Sequence, residues 1–230
     1  MCGRFNVINN PELQQLLKEL GIDLGLPSRS NVAPTEDIAL VRALDGDNEL
    51  TEMRWWLIPR WAKQLDQKYS MFNARSENLD KSRAFSQAFK HRRGIVPVSN
   101  FIEWRSETGG RQPYVIGSAE GALALAAIWE HWEGEGRVIE SCALVTTAAA
   151  PEFEQIHQRM PVILAGEERE RWLDCSHSLA VNDPLFEPRL KCPMLATPVS
   201  RGINNARNKE PELLEPTGEP ISLGGGGLVS

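Results

Sequence analysis

The chain has 230 residues, of which 41% are hydrophobic and 24% charged, and its formal net charge is −6. This suits a globular protein large enough to bury a core, and it argues against nucleic-acid binding through a broadly basic surface, so that any such binding has to be local. No apolar run approaches the roughly 20 residues of a transmembrane helix and the opening residues lack a basic-then-apolar leader, so no membrane association and a cytoplasmic address are expected.

In chain order, "MCGRF" sets Cys2 directly behind the initiator methionine. Once Met1 is removed, Cys2 carries a free α-amine and a thiol on adjacent carbons, an unusual pair of nucleophiles. "NNPELQQLLKELG" then predicts a helix. Asn10 caps it, Pro11 fits its first turn, Leu13, Leu16, Leu17 and Leu20 share one face, and Gly21 stops it. The turn-rich "RSNVAPTED" precedes two strands, "IALVRAL" and "LTEMRWWLI", joined as a hairpin by "DGDN".

"SENLDKSRAFSQAFKHRR" predicts a second helix, with Phe85, Ala88 and Phe89 on its buried side and a basic C-terminal end. Short apolar runs divided by turns follow: "GIVPV", "FIEWRS", "QPYVIG", "GALALAAIWEHW" and "VIESCALVTT". "PEFEQIHQ" and "GEERERWL" read as short helices and "MLATPVS" as a last strand. With no internal repeat or linker, the pattern predicts a single α+β domain over residues 1–221. Its expected core is a mainly antiparallel bent sheet or barrel flanked by short helices. Residues 222–230, "SLGGGGLVS", read as a flexible tail or an expression remnant.

Cys2, Cys142, Cys175 and Cys192 form no C-x-x-C pair and suggest neither a disulfide framework nor a zinc ribbon. The grouping of Cys175, His177 and Cys192 fits no common ligand spacing, and no metal or other cofactor is expected. Monomer is the default oligomeric state.

Four polar residues stand in apolar or turn-rich settings: Cys2, Asn73 in "MFNARSE", Glu103 in "NFIEWR" and His157 in "EQIHQRMP". Singly each has an ordinary explanation, such as Glu103 being the outward residue of an alternating strand. Together they supply a nucleophile, an orienting amide, a carboxyl group and an imidazole, the set needed for acid–base chemistry on a carbonyl. Reference pKa values of roughly 7.7 to 8.0 for an α-amine and about 8.5 for a thiol put both near their reactive forms at neutral pH, so modest tuning would suffice.

The segments "MCGRF", "NVAP", "RWWLIPRWAK", "FNARSE", "FIEW", "VTT", "IHQRMP" and "VSRGINNARNKEPELLEP" occur in this order along nearly the whole chain. In these the chain resembles the SRAP family, the SOS response-associated peptidase proteins. The resemblance implies a sensor of abasic sites in single-stranded DNA, active in the DNA damage response, that traps its target as a covalent thiazolidine on Cys2. It also implies lyase-like chemistry and a self-cleavage that releases Met1.

By the same resemblance Glu103 assists sugar ring opening and proton transfer, Asn73 holds the N-terminal residue, and His157 relays protons or stabilises charge. Arg4, Arg75 and Arg159 would meet phosphates, Asn31, Pro34 and Thr146 would line the groove, and Trp61 would stack on a base or wedge a strand open. The chain departs from the family pattern at Trp55-Trp56-Leu57, commonly Trp-Gly-Leu, and at Ser99 to Ile102, where an Asp-Gly pair and an aromatic often precede the glutamate. The competing expectations are an N-terminal-nucleophile cysteine amidohydrolase, which would turn over a small amide without DNA, and a passive single-strand binder.

Overall fold

The computed structural model describes residues 2–65 and 69–224. After β1 (Arg4–Val7), the first helix, α1 (Pro11–Glu19), forms for the local reasons its sequence supplies. The Asn10 side chain accepts the Leu13 N–H, Pro11 takes the first turn, and Leu13, Leu16 and Leu17 are buried. Next come β2 (Arg29–Val32) and the hairpin of β3 (Asp37–Leu44) and β4 (Asp47–Trp55). Asp45 and Gly46 turn this hairpin with φ of 52° and 95°, a doubly left-handed turn that explains the Asp-Gly pair.

Two sheets build the domain. β3 and β4 join β6 (Arg93–Val98), β9 (Leu123–Gly134) and β10 (Arg137–Ala148) in the order β10-β4-β3-β6-β9, and β9 pairs back onto β10, closing a five-stranded barrel. β10 also carries β5 (Asn73–Arg75) in parallel and β11 (Arg159–Pro161) in antiparallel fashion. Beside the barrel lies an antiparallel sheet of β1, β2, β7 (Asn100–Glu107), β8 (Gly110–Ser118), β12 (Met194–Pro198) and β13 (Ile221–Leu223), ordered β13-β12-β8-β7-β1-β2.

One apolar core joins the two, and the unbroken run Leu123–Ile128 of β9 is buried throughout because both of its faces are covered. Gly94 is required where β6 passes β3, since a Cβ there would stand 2.5 Å from Leu40 Cδ2 and 3.0 Å from the Val41 carbonyl.

The expected mainly antiparallel, bent-sheet and barrel architecture is present, with differences in detail. The helix predicted over residues 76–93 reduces to a 3₁₀ turn (Ser76–Asn78) and the short α2 (Ser86–His91), and Arg93 opens β6 instead of ending a helix. The reason lies far along the chain. The Arg93 guanidinium is buried and donates to the carbonyls of Phe89, Trp172, Asp174 and His177.

"PEFEQIHQ" is a chain of turns rather than a helix, tied by Phe153 N–H to Ala150 O (2.8 Å) and Ile156 N–H to Phe153 O (2.9 Å). The Ala149 N–H donates to Gln158 O (3.0 Å) and closes this loop between β10 and β11. "GEERERWL" does supply a helix, α3 (Glu168–Leu173). Ser222 and Leu223, assigned above to the tail, belong to β13, with Leu223 buried and paired to Met194, while residues 225–230 lie outside the described residues. Among the described residues no helix is long and apolar enough to cross a membrane.

Candidate functional site

The N-terminus is brought to the seam between sheet and barrel by strand pairing. β1 runs antiparallel to β7 with Arg4 opposite Ile102 and Phe5 opposite Phe101, so one further step of register brings Gly3 level with Glu103. From the barrel side, β10 holds Asn73 opposite Leu144, Arg75 opposite Thr146, and Arg159 opposite Ala148. Asn73 and Arg75 thus stand on one edge of β10, and His157, which precedes β11, on the other.

Cys2 is fully buried, and Asn73 Nδ2 donates to its carbonyl at 2.8 Å. This bond fastens the second residue of the chain to the barrel. The Cys2 thiol makes a long contact with the Arg4 carbonyl (3.8 Å). Burial first, and the negative charge of Glu103 second, push this thiol well above its ordinary pKa. The expectation of two nearly ready nucleophiles is therefore corrected, because the thiol is held in its neutral form. Glu103 is itself only 2% exposed, so it is not the outward residue that simple strand alternation suggests.

His157 is half-buried, with Nδ1 lying 3.0 Å from the Arg159 backbone nitrogen and 3.1 Å from its carbonyl oxygen, contacts that fix the ring. Arg159 forms a two-pronged pair with Glu77 (2.6 and 3.1 Å) and also donates to the Thr146 carbonyl (2.8 Å) and hydroxyl (3.2 Å). Burial raises the Glu77 pKa, but the Arg159 hydrogen bonds and charge, with the Glu77 N–H, outweigh it and leave the group below its usual value. Glu77 was not singled out from the sequence. It sits inside the quoted "FNARSE", but its partner is 82 positions away.

Arg4 and Arg75 are differently placed. Among the described residues neither side chain takes part in a hydrogen bond or ion pair, and the Arg4 guanidinium lies 5.5 Å from the Trp104 ring centroid. Arg75 borders an open cleft of about 520 Å³ that also exposes Asn73, Asn78, Lys81, Ser82 and Phe85.

Trp61 is 51% exposed, with the Arg83 guanidinium 4.3 Å from its ring centroid and its Nε1–H donating to the Arg83 carbonyl (3.1 Å). Pro34 is half-buried in the turn after β2. Thr146 and Asn31 are buried. The Asn31 side-chain NH2 donates inward to the carbonyls of Ile203, Asn205 and Asn208 (3.1, 3.1 and 2.9 Å) and so ties down the C-terminal loop.

Among the described residues, buried side-chain atoms that meet no hydrogen-bond partner include Arg4 Nε, Asn31 Oδ1, Asn73 Oδ1 and Arg159 Nε. Such atoms carry a desolvation cost of about 1–3 kcal/mol each. No group of three or more His, Cys, Asp or Glu side chains among the described residues could hold a metal ion.

The family model "SOS response associated peptidase (SRAP)" matches residues 1–206. The abasic site processing protein YoqW of Bacillus subtilis is 34% identical over 228 residues, covering 94% of this chain and 99% of that protein. YedK of Escherichia coli, described in the same words, is 29% identical, covering 94% of this chain and all of its own length. HMCES of Gallus gallus is 31% identical over 76% of this chain, which accounts for 58% of the longer protein. A solved structure from Bacteroides thetaiotaomicron superposes with a TM-score of 0.78 at 23% identity, covering 94% of this chain and all of the other, and supports the fold.

Proposed function

The chain belongs to the SOS response associated peptidase family, and from that premise we propose that it captures abasic sites in single-stranded DNA as a thiazolidine on Cys2, once Met1 has been removed. The observation that carries this reading is the 2.8 Å bond from Asn73 to the Cys2 carbonyl, which holds the residue bearing both nucleophiles in a buried seam beside Glu103. That relatives of this chain are abasic site processing proteins supports the substrate class.

An opened abasic sugar presents an aldehyde at C1′. Glu103 takes the proton of the anomeric hydroxyl and returns one to the ring oxygen, opening the sugar. The Cys2 amine, freed by self-cleavage or by an aminopeptidase, attacks C1′, and loss of one water gives an imine. The thiol then adds across the C=N bond, its proton passing through Glu103 or His157 to the nitrogen, and a five-membered ring closes. A thiol held neutral suits this order, because the amine acts first and the thiol loses its proton only as the S–C bond forms.

The strand is held through its phosphates by Arg4 and Arg75, with Lys81 beside Arg75. Arg159, already paired with Glu77, buttresses the wall carrying Thr146 and His157. The test is a denaturing gel of Met1-free protein with three strands: intact, abasic, and abasic reduced to the alcohol. A retarded band with the abasic strand alone is expected. Equal bands with the reduced strand would refute aldehyde capture.

A further inference from the structure

We propose that Trp56 is a positioning residue for Cys2, acting through Phe72 and Asn73. β5 has only three residues, and Asn73 is the first of them, so the geometry of Asn73 depends on how the preceding residue is fixed. Phe72 is fixed from two sides. Its carbonyl accepts from Trp55 Nε1 (2.9 Å) and from the Leu144 N–H (3.0 Å). Its ring meets Trp55 edge-on at 6.1 Å and 87°, and Trp56 at 5.6 Å and 36°. The Leu57 N–H reinforces the junction by donating to the Met71 carbonyl (3.1 Å).

Trp55 has other duties, being wholly buried and packed on Phe5 at 5.1 Å. Trp56 does not. It is half-buried, and its indole N–H is buried without meeting an acceptor among the described residues, so no hydrogen bond there accounts for a tryptophan. Among the described residues its one aromatic contact is with Phe72. A ring at position 56 therefore serves to hold Phe72 against Trp55, and Phe72 hands that position to Asn73 and, through the 2.8 Å bond, to the Cys2 carbonyl. Shortening Trp56 opens one face of Phe72, lets the start of β5 shift, and loosens Cys2.

This linkage ends at the Cys2 carbonyl and holds whatever Cys2 reacts with. Only its importance for DNA capture rests on the function proposed above. The test compares iodoacetamide labelling of Cys2 and Cys142 in the same native sample, read by peptide mass, for wild type, Trp56→Ala, Trp56→Phe, Asn73→Ala and the Trp56→Ala/Asn73→Ala double variant. Both thiols are fully buried, so Cys142 reports general loosening.

Cys2 labelling is expected to rise about fivefold or more in each alanine variant, to return close to wild type in Trp56→Phe, and to rise no further in the double variant, with Cys142 unchanged throughout. Unchanged Cys2 labelling in Trp56→Ala, parallel rises at both cysteines, or effects that multiply in the double variant would each overturn the proposal. A wild-type protein that fails to crosslink abasic DNA would count against the function reading and leave the labelling result standing.

Discussion

Replacing Asn73 by aspartate exchanges one heavy atom, the amide nitrogen for an oxygen, and removes the donor of the hydrogen bond on which the site depends. The amide N–H that now donates to the Cys2 carbonyl at 2.8 Å becomes a carboxylate oxygen facing another acceptor, in a position only 8% exposed. Loss of a buried donor leaves its partner unsatisfied at a cost of about 1–3 kcal/mol, more when a charge is left in its place.

If that cost falls on the reactive alignment of the terminus, crosslinking slows about 5- to 150-fold. The sign of the pH dependence separates this cause from simple misfolding. A buried aspartate has its pKa raised, and below that value its neutral acid can donate to the carbonyl again. Asn73→Asp should therefore recover relative to wild type as pH falls, and Asn73→Ala should not. The assay is single-turnover crosslinking at saturating abasic strand, quantified on denaturing gels across pH, with thermal melting as the check on folding. Both variants within twofold of wild type, or identical pH profiles for the two, would refute the reasoning.

DNA affinity should fall with salt, and Arg75→Ala should shallow the log–log slope by about 0.7, the share of one single-strand phosphate contact, as read by fluorescence anisotropy. An unchanged slope would remove Arg75 from the phosphate contacts. Gly94→Ala should destabilise the barrel by about 1–3 kcal/mol, because its Cβ would stand 2.5 Å from Leu40 Cδ2 beside the Val41 carbonyl, and urea denaturation should show a lower midpoint. An unaltered midpoint would show that Leu40 yields freely. Because the folded Glu77 pKa is depressed, its stabilising contribution is present above the unfolded value of about 4.3 and is lost as pH falls through the folded value. In Arg159→Ala its burial is opposed only by its own backbone N–H and the Ser76 hydroxyl, so carboxyl carbon NMR should report a higher midpoint for Glu77. An unmoved midpoint would contradict the pairing.

Local features of this fold were legible in the sequence where their causes are local. The Asn10 cap, Pro11 and the leucine face specify α1, and Asp45-Gly46 specifies the β3–β4 hairpin. The helix expected over residues 76–93 was overextended because Arg93 is pulled out of it by carbonyls of residues 172, 174 and 177, which no local window contains. The residue types of the site could be named from the chain, and the family resemblance joined them. Their physical state could not be read the same way. Cys2 is buried beside Glu103 because β1 pairs with β7, and Arg159 is committed to Glu77 across 82 positions. Asn31 faces a loop that returns to it from more than 170 residues away. Trp56 differs from the commoner family pattern, and its packing on Phe72 became visible only when β4 and β5 were seen together.

The most direct test of covalent capture is the intact mass of the protein before and after incubation with an oligonucleotide carrying one abasic site. The account predicts a chain lacking Met1 that becomes a one-to-one adduct, equal to protein plus strand minus one water, stable to denaturation and absent in Cys2→Ala. A Met1-free protein that binds the strand but shows no adduct mass would contradict it.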